Sequence, residues 1–111
     1  GAIMQIQILD EIWCVFFVPP YSKYLSGHLG VCDDLNNVIF VADNLDEEKM
    51  QEVLQHEISH AIAFITNAPL YLTEENMAGF NGMYADEIYN YAREVMYDYG
   101  FLSDIRFCQE N

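Results

Sequence analysis

Residues 38–66 read VIFVADNLDEEKMQEVLQHEISHAIAFIT, and the hydrophobic periodicity changes once within this stretch. Residues 38–42 are a short apolar run bounded by turn signals, which predicts a strand. From Met50 onward the apolar residues recur at helical spacing, which predicts an amphipathic helix that ends near Thr66. Candidate N-caps for this helix are Asp43, Asn44 and Asp46. A strand that leads directly into a long capped helix is typical of an α+β domain.

The segments before this stretch predict two more strands. Residues 3–9 alternate apolar and polar side chains, which is the two-residue period of a half-buried strand. Residues 12–18, IWCVFFV, are apolar throughout and rich in β formers, and this favours a more buried strand. Residues 21–30 contain two glycines and are predicted to form a loop or a short turn.

The segment after the first helix predicts a second one, which begins near Thr73 with acidic residues in its first turn and is capped by Gly100. Its predicted apolar stripe comprises Met77, Phe80, Tyr84, Ile88, Tyr91 and Val95. Residues 101–108 are predicted to dock as a last strand or turn. The expected architecture is one domain over residues 1–111, in which a small, largely antiparallel sheet packs against two main helices. Residues 1–3 are predicted to be a cloning remnant that precedes the native start at Met4.

The charge balance restricts the classes of partner. The chain has 18 acidic and 4 basic residues, and its formal charge is −14. A chain with this charge repels phosphate backbones and anionic lipid headgroups, so neither nucleic acid nor a membrane is an expected partner. The charge is explained by a solvated, soluble surface or by docking to a basic protein.

Cysteine usage predicts the compartment. Cys14, Cys32 and Cys108 are odd in number and lie in apolar surroundings without a CxxC pair. We expect reduced, mostly buried thiols in a cytoplasmic protein. The N-terminus lacks the basic region of a signal peptide, and no apolar run approaches the length of a membrane span.

The segment His56-Glu57-Ile58-Ser59-His60 carries the chemistry. Two histidines four residues apart lie on one face of a helix, where both imidazoles can ligate one zinc ion. Glu57 projects at a neighbouring angle and can act as a general base towards a water molecule. The other explanation is a pair of polar side chains that share a helix by chance. The apolar neighbours on the predicted helix favour the single zinc site.

A catalytic zinc site needs a third protein ligand and an open coordination position. The predicted third ligand is Glu74 or Glu75 at the start of the second helix, and the angle to the apolar stripe slightly favours Glu74. Asp86 and Glu87 are weaker candidates. By residue type alone, Tyr84 and His28 are candidates to stabilise the transition state, although a core tyrosine and a surface histidine are the favoured explanations.

Residues 27–62, together with LTEENMAGF at 72–80, resemble the core of small zincin metallopeptidases of phages and prophages, which are distant relatives of the ImmA/IrrE-type peptidases. The matching features are a Gly-x-Cys-Asp turn, a short edge strand, HExxH on a helix and an acidic start to the next helix. In this sequence they correspond to Gly30–Asp33, Val38–Val41, His56–His60 and Glu74–Glu75. The resemblance implies that residues 38–42 bind an extended substrate by backbone pairing.

Three hypotheses follow. The first is a zinc-dependent metallopeptidase that cleaves a protein or peptide substrate, with His56, His60 and one of Glu74 and Glu75 as ligands and Glu57 as general base. The second is an acidic phage or prophage interaction protein that inhibits a basic host factor on a zincin scaffold with little or no turnover. The third is a purely structural, four-coordinate zinc site. The oligomeric state stays open.

Overall fold

The structure is a computed structural model that describes residues 2–68 and 82–100. The four strands are β1 (Ala2–Ile8), β2 (Glu11–Val18), β3 (Gly30–Asp33) and β4 (Val38–Ala42). The two helices are α1 (Glu47–Ile65) and α2 (Ala85–Tyr99), and a single 3₁₀ turn (Lys23–Leu25) lies between β2 and β3.

The strands form one mixed sheet in the order β1-β2-β4-β3. β1 pairs with β2 and β3 pairs with β4 in antiparallel fashion, whereas β2 and β4 are parallel. The predicted α+β class, with a small, largely antiparallel sheet and two helices, is confirmed. β3 is inserted between β2 and β4 in the sequence but lies outside them in the sheet, and this arrangement makes the central pair parallel.

The core lies between one face of the sheet and the two helices. α1 packs across β3 and β4, α2 packs across β1, and the two helices contact each other. Buried side chains alternate with more exposed ones on β1, β2 and β4, so each of these strands buries one face in this layer, whereas all four residues of β3 are half-buried. The largest fully buried side chains from the strands and α1 are Trp13, Phe17, Ile8, Ile39, Met50, Leu54, Ile58 and Ile62.

The predicted bounds of α1 are confirmed. The Asp46 carboxylate caps the helix by accepting a hydrogen bond from the Lys49 backbone N–H at 2.8 Å, which satisfies one of the free donors of the first turn. At the other end, the Thr66 hydroxyl donates to the Ile62 carbonyl at 2.8 Å. Both ends are therefore held by side chains next to the terminal residues.

The β1–β2 hairpin is fastened to α2 by one long-range hydrogen bond. Leu9 occupies the turn with a φ of 55°, and its backbone N–H donates to the Tyr91 hydroxyl at 2.9 Å. At the end of α2, Gly100 adopts a φ of 104°, a left-handed conformation that glycine accepts without strain. Its role as C-cap was predicted, and it is confirmed.

Two sequence predictions about the sheet are wrong. Residues 30–33, which were expected to form a turn, are strand β3, because pairing with β4 overrides the turn preference of Gly30 and Asp33. Residues 38–42 are not an edge strand, since β4 lies between β2 and β3. Tyr84, which was expected inside the second helix, instead precedes α2 with non-helical dihedral angles, so the predicted helix is not continuous through residue 84. The predicted start of that helix at Thr73 and the last strand at 101–108 lie outside the described residues.

Candidate metal centre

The two motif histidines converge on one point at the surface of α1. Their Nε2 atoms are 3.3 Å apart, and the rings meet edge to face with centroids 4.7 Å apart. When two imidazole nitrogens bind the same tetrahedral zinc ion at about 2.05 Å, the two nitrogens lie about 3.3 Å apart. The pair therefore has the separation that a shared zinc ion requires. The same distance also suits a long hydrogen bond in which one ring donates and the other accepts.

Glu57 is on the neighbouring face of α1, beneath the edge strand β3. The residue is only 7% exposed, although it carries a carboxylate. Its side chain is so close to Gly30 that a Cβ built there would lie 3.0 Å from Glu57 Cγ and 3.1 Å from Glu57 Oε2. The edge strand approaches the motif this closely because residue 30 has no side chain.

Gly30 is the functional position that sequence reasoning assigned to a different role. Gly30 allows strand β3 and helix α1 to approach each other closely, whereas the sequence analysis assigned it to a turn. The available signal was its place in the GVCD segment, but its distance from Glu57 depends on how α1 crosses the sheet. Only the tertiary structure supplies that distance.

An open cavity of about 740 Å³ adjoins His56 and Glu57. The segment that leads into β3 forms one wall, the first half of α1 forms the floor, and the start of α2 forms the opposite wall. The residues that line it include His28, Gly30, Glu52, Gln55, Gly82 and Ile88. His28, a candidate by residue type alone, thus lies on the same cavity as the motif.

Cys32 is near Glu57 on β3 but does not supply a thiolate. Burial of the thiol, followed by the negative charges of Glu57, Asp34 and Asp33, raises its pKa from 9.0 to about 12. The thiol is therefore neutral at physiological pH, and a neutral thiol is neither a nucleophile nor a good metal ligand. The cysteines Cys14 and Cys32 are both free, as expected for reduced thiols.

Both candidates for the predicted third ligand lie outside the described residues. Glu74 and Glu75 both belong to residues 69–81, which are not described. Within residues 2–68 and 82–100, no group of three His, Cys, Asp or Glu side chains is placed to hold a metal ion. The weaker candidates Asp86 and Glu87 are exposed in the first turn of α2 and do not complete the histidine pair.

Tyr84, the other candidate by residue type, directly precedes α2. Its side chain is partly buried against the hydrophobic core, and its carbonyl accepts the first hydrogen bond of α2 from the Ile88 N–H.

Among the described residues, no helix is long and apolar enough to span a bilayer. Comparison with protein-family models, with curated proteins and with solved structures gave no match. The candidate site is therefore argued from its own geometry.

Proposed function

We propose that this protein is a zinc-dependent metallopeptidase in which His56 and His60 bind the metal and Glu57 is the general base. The observation that carries the proposal is the 3.3 Å separation of the two Nε2 atoms beside a buried carboxylate. The third ligand is assigned to Glu74 or Glu75. Zinc bound there would polarise the scissile carbonyl and lower the pKa of a water molecule towards about 7.

Glu57 supplies the proton transfer. Its carboxylate accepts a proton from the attacking water and returns it to the departing amine, so one residue serves both halves of the reaction. The contact with Gly30 holds the side chain against the edge strand, and α1 fixes its position relative to His56. A base held in this way loses little conformational freedom when the substrate binds.

The corrected sheet order moves the proposed substrate strand from residues 38–42 to β3. No other described strand pairs with the outer edge of Gly30–Asp33, and the cavity opens next to it. An extended peptide can add to such an edge by backbone pairing and thereby place a peptide bond near Glu57. Glu52 at the cavity is paired with Lys49 at 3.3 Å, so the expected preference for a basic substrate is argued from the formal charge of −14 of the whole chain.

Zinc content is the first test. We expect one zinc per chain after reconstitution, measured by plasma mass spectrometry, and loss of this zinc in His56→Ala and His60→Ala. At a free zinc concentration of about 100 times Kd, binding adds about 2.7 kcal/mol to the free energy of unfolding. The melting temperature should therefore fall by roughly 10 °C when a chelator is added. The metal centre would be refuted if the protein bound no stoichiometric zinc and its melting temperature did not change when a chelator was added.

Turnover is the second test. A tryptic peptide library from a denatured proteome is incubated with the zinc-loaded protein, and new peptide termini are identified by mass spectrometry. The matched control is Glu57→Gln, which keeps the size of the side chain and removes the base. We expect new termini with the wild type, none with the variant, and equal zinc in both.

The acidic interaction protein remains a second candidate, because the exposed surfaces of both helices are strongly acidic. The acidic residues concerned are Glu47, Glu48, Glu52, Asp86, Glu87, Glu94 and Asp98. If Glu57→Gln abolishes cleavage but leaves the biological effect intact, this function replaces the peptidase. A structural zinc would instead show four protein ligands and no bound water by X-ray absorption.

A further inference from the structure

The outer face of the sheet, which points away from the helices, is apolar. It is formed by the outward-facing side chains of all four strands, among them the polar Gln5 and Gln7 of β1. Neither α1 nor α2 lies on it, and the 3₁₀ turn covers one part of it through Tyr24. Its apolar members are Ile3, Ile12, Cys14, Phe16, Val18, Val31, Val38 and Phe40. Ile3 and Ile12 are 62% and 56% exposed, and the remaining six are half-buried. Exposed contiguous apolar patches of this kind mark contact surfaces in proteins.

Aromatic packing gives this outer face a defined shape. Phe16 and Phe40 lie on neighbouring strands with ring centroids 5.5 Å apart. Tyr24 from the 3₁₀ turn stacks on Phe40 at 4.8 Å with the rings nearly parallel, and its own side chain remains 53% exposed. The aromatic side chains of the patch are therefore already packed against one another before any partner binds.

Charge is distributed very unevenly between the two sides of the molecule. On the outer face, the one charged strand position is Asp33, whose carboxylate accepts hydrogen bonds within its own turn from Leu35 N–H and Asn36. Lys23 lies at the margin, next to Tyr24. The exposed acidic side chains of α1 and α2 are all on the opposite side. A chain with a formal charge of −14 has thus kept one face almost free of carboxylates.

We propose that this outer face binds a second copy of the same chain, so that two sheets pack face to face with the helices on the outside. A basic partner would be drawn to the acidic helix surfaces, and not to the face that lacks charge. Two copies of a −14 chain can approach each other only where like charges are sparse. Face-to-face packing at about 10 Å between sheets leaves both acidic helix layers at the greatest distance from each other.

The area of the outer face determines how strongly two copies are expected to associate. Four strands at about 4.8 Å spacing and about 20 Å length give a footprint of roughly 400 Å² per chain. This is about half of what a standard stable interface contributes per partner. The dimer should therefore be weak, with a dissociation constant in the micromolar range. The cavity beside Glu57 is on the helix side and stays open in this dimer, so the inference is independent of the proposed activity.

Sedimentation equilibrium over about 5 to 300 µM is the test. We expect a concentration-dependent mass that rises from 12.8 kDa towards twice that value. Ile12→Lys places a charge on the outer face, at the beginning of β2, and should weaken association at least tenfold. Met83→Lys is the matched control, because Met83 is 74% exposed at the start of α2 and the variant adds the same charge on the helix side. Circular dichroism checks that both variants fold.

Salt supplies a second readout with a definite sign. Screening of the repulsion between two negative chains should strengthen association several-fold between 0.05 and 0.5 M NaCl. Attraction between opposite charges would instead weaken it. A wild-type chain that stays monomeric at 300 µM in high salt overturns the proposal, and so does equal weakening by Ile12→Lys and Met83→Lys.

Discussion

Gly30→Ala tests how closely the edge strand must approach the motif. The backbone at Gly30 has no positive φ, so alanine meets no conformational penalty there and any loss must come from its Cβ. That atom would lie 2.6 Å from Val53 Cγ1, 3.0 Å from Glu57 Cγ and 3.1 Å from Glu57 Oε2. Ordinary carbon contacts lie at about 3.5–4.0 Å. Val53 must therefore shift by about 1 Å and Glu57 by several tenths of an ångström.

The expected cost has two parts. Overpacking between β3 and α1 should lower the free energy of unfolding by about 1–3 kcal/mol. In a chain of this size, that corresponds to a fall in melting temperature of roughly 5 °C per kcal/mol. Displacement of Glu57 by several tenths of an ångström should lower turnover by up to about 100-fold if the proposed function is correct, since a misplacement of about 1 Å costs that much. Zinc affinity should change less than turnover, because the atoms nearest to the added Cβ belong to Val53 and Glu57.

Urea unfolding measures the first part, and cleavage of the peptide library measures the second. Gly82→Ala is the matched control, because Gly82 lines the same cavity and a Cβ there meets nothing within 4 Å. Adding Val53→Ala to Gly30→Ala removes the 2.6 Å contact. The double variant should be more stable than the sum of the single effects by about 0.5–3 kcal/mol. The close approach would be refuted if Gly30→Ala were as stable as Gly82→Ala. It would also be refuted if the stability changes of Gly30→Ala and Val53→Ala were strictly additive in the double variant.

Three further predictions concern stability. Asp46→Ala should lower the free energy of unfolding, measured by urea titration, by about 1 kcal/mol, because the Lys49 N–H loses its acceptor. Asp46→Asn can still accept that hydrogen bond and should therefore lose much less stability in the same titration. Tyr91→Phe should cost about 1–3 kcal/mol and speed hydrogen exchange at the Leu9 amide, since that partly buried donor loses its acceptor; unchanged exchange would contradict the bond. Because the pKa of Cys32 is raised from 9.0 to about 12, its stabilising contribution is complete below pH 9 and is lost as pH rises towards 12. By pH 10 about 1.4 kcal/mol should be gone in chelator and reductant, and Cys32→Ser should flatten this decline.

Hydrophobic period and capping residues were enough to place the regular elements. The alternation in residues 3–9, the apolar run at 12–18 and the strand at 38–42 agree with β1, β2 and β4 to within a residue or two. Asp46 and Thr66 set the ends of α1. These features depend on local geometry, in which each side chain is directed by its own backbone.

β3 could not be predicted in the same way. Four residues that begin with glycine and end with aspartate carry a turn signature, and only pairing with β4 makes them a strand. The sheet order has the same origin, because it depends on which strand edges meet after the chain has crossed over. This non-local pairing also moved the edge strand from 38–42 to 30–33.

The candidate site, like the sheet, could be predicted from the sequence only in part. The sequence by itself determined that His56, Glu57 and His60 share a helix, because the helical repeat puts residues one turn apart on one face. Tertiary structure alone decided that Glu57 is buried beneath Gly30, that His28 shares its cavity, and that one sheet face is mostly apolar and almost free of carboxylates. Those distances depend on how α1 crosses the sheet. Such a crossing is set by the packing of the whole core, which no short segment encodes.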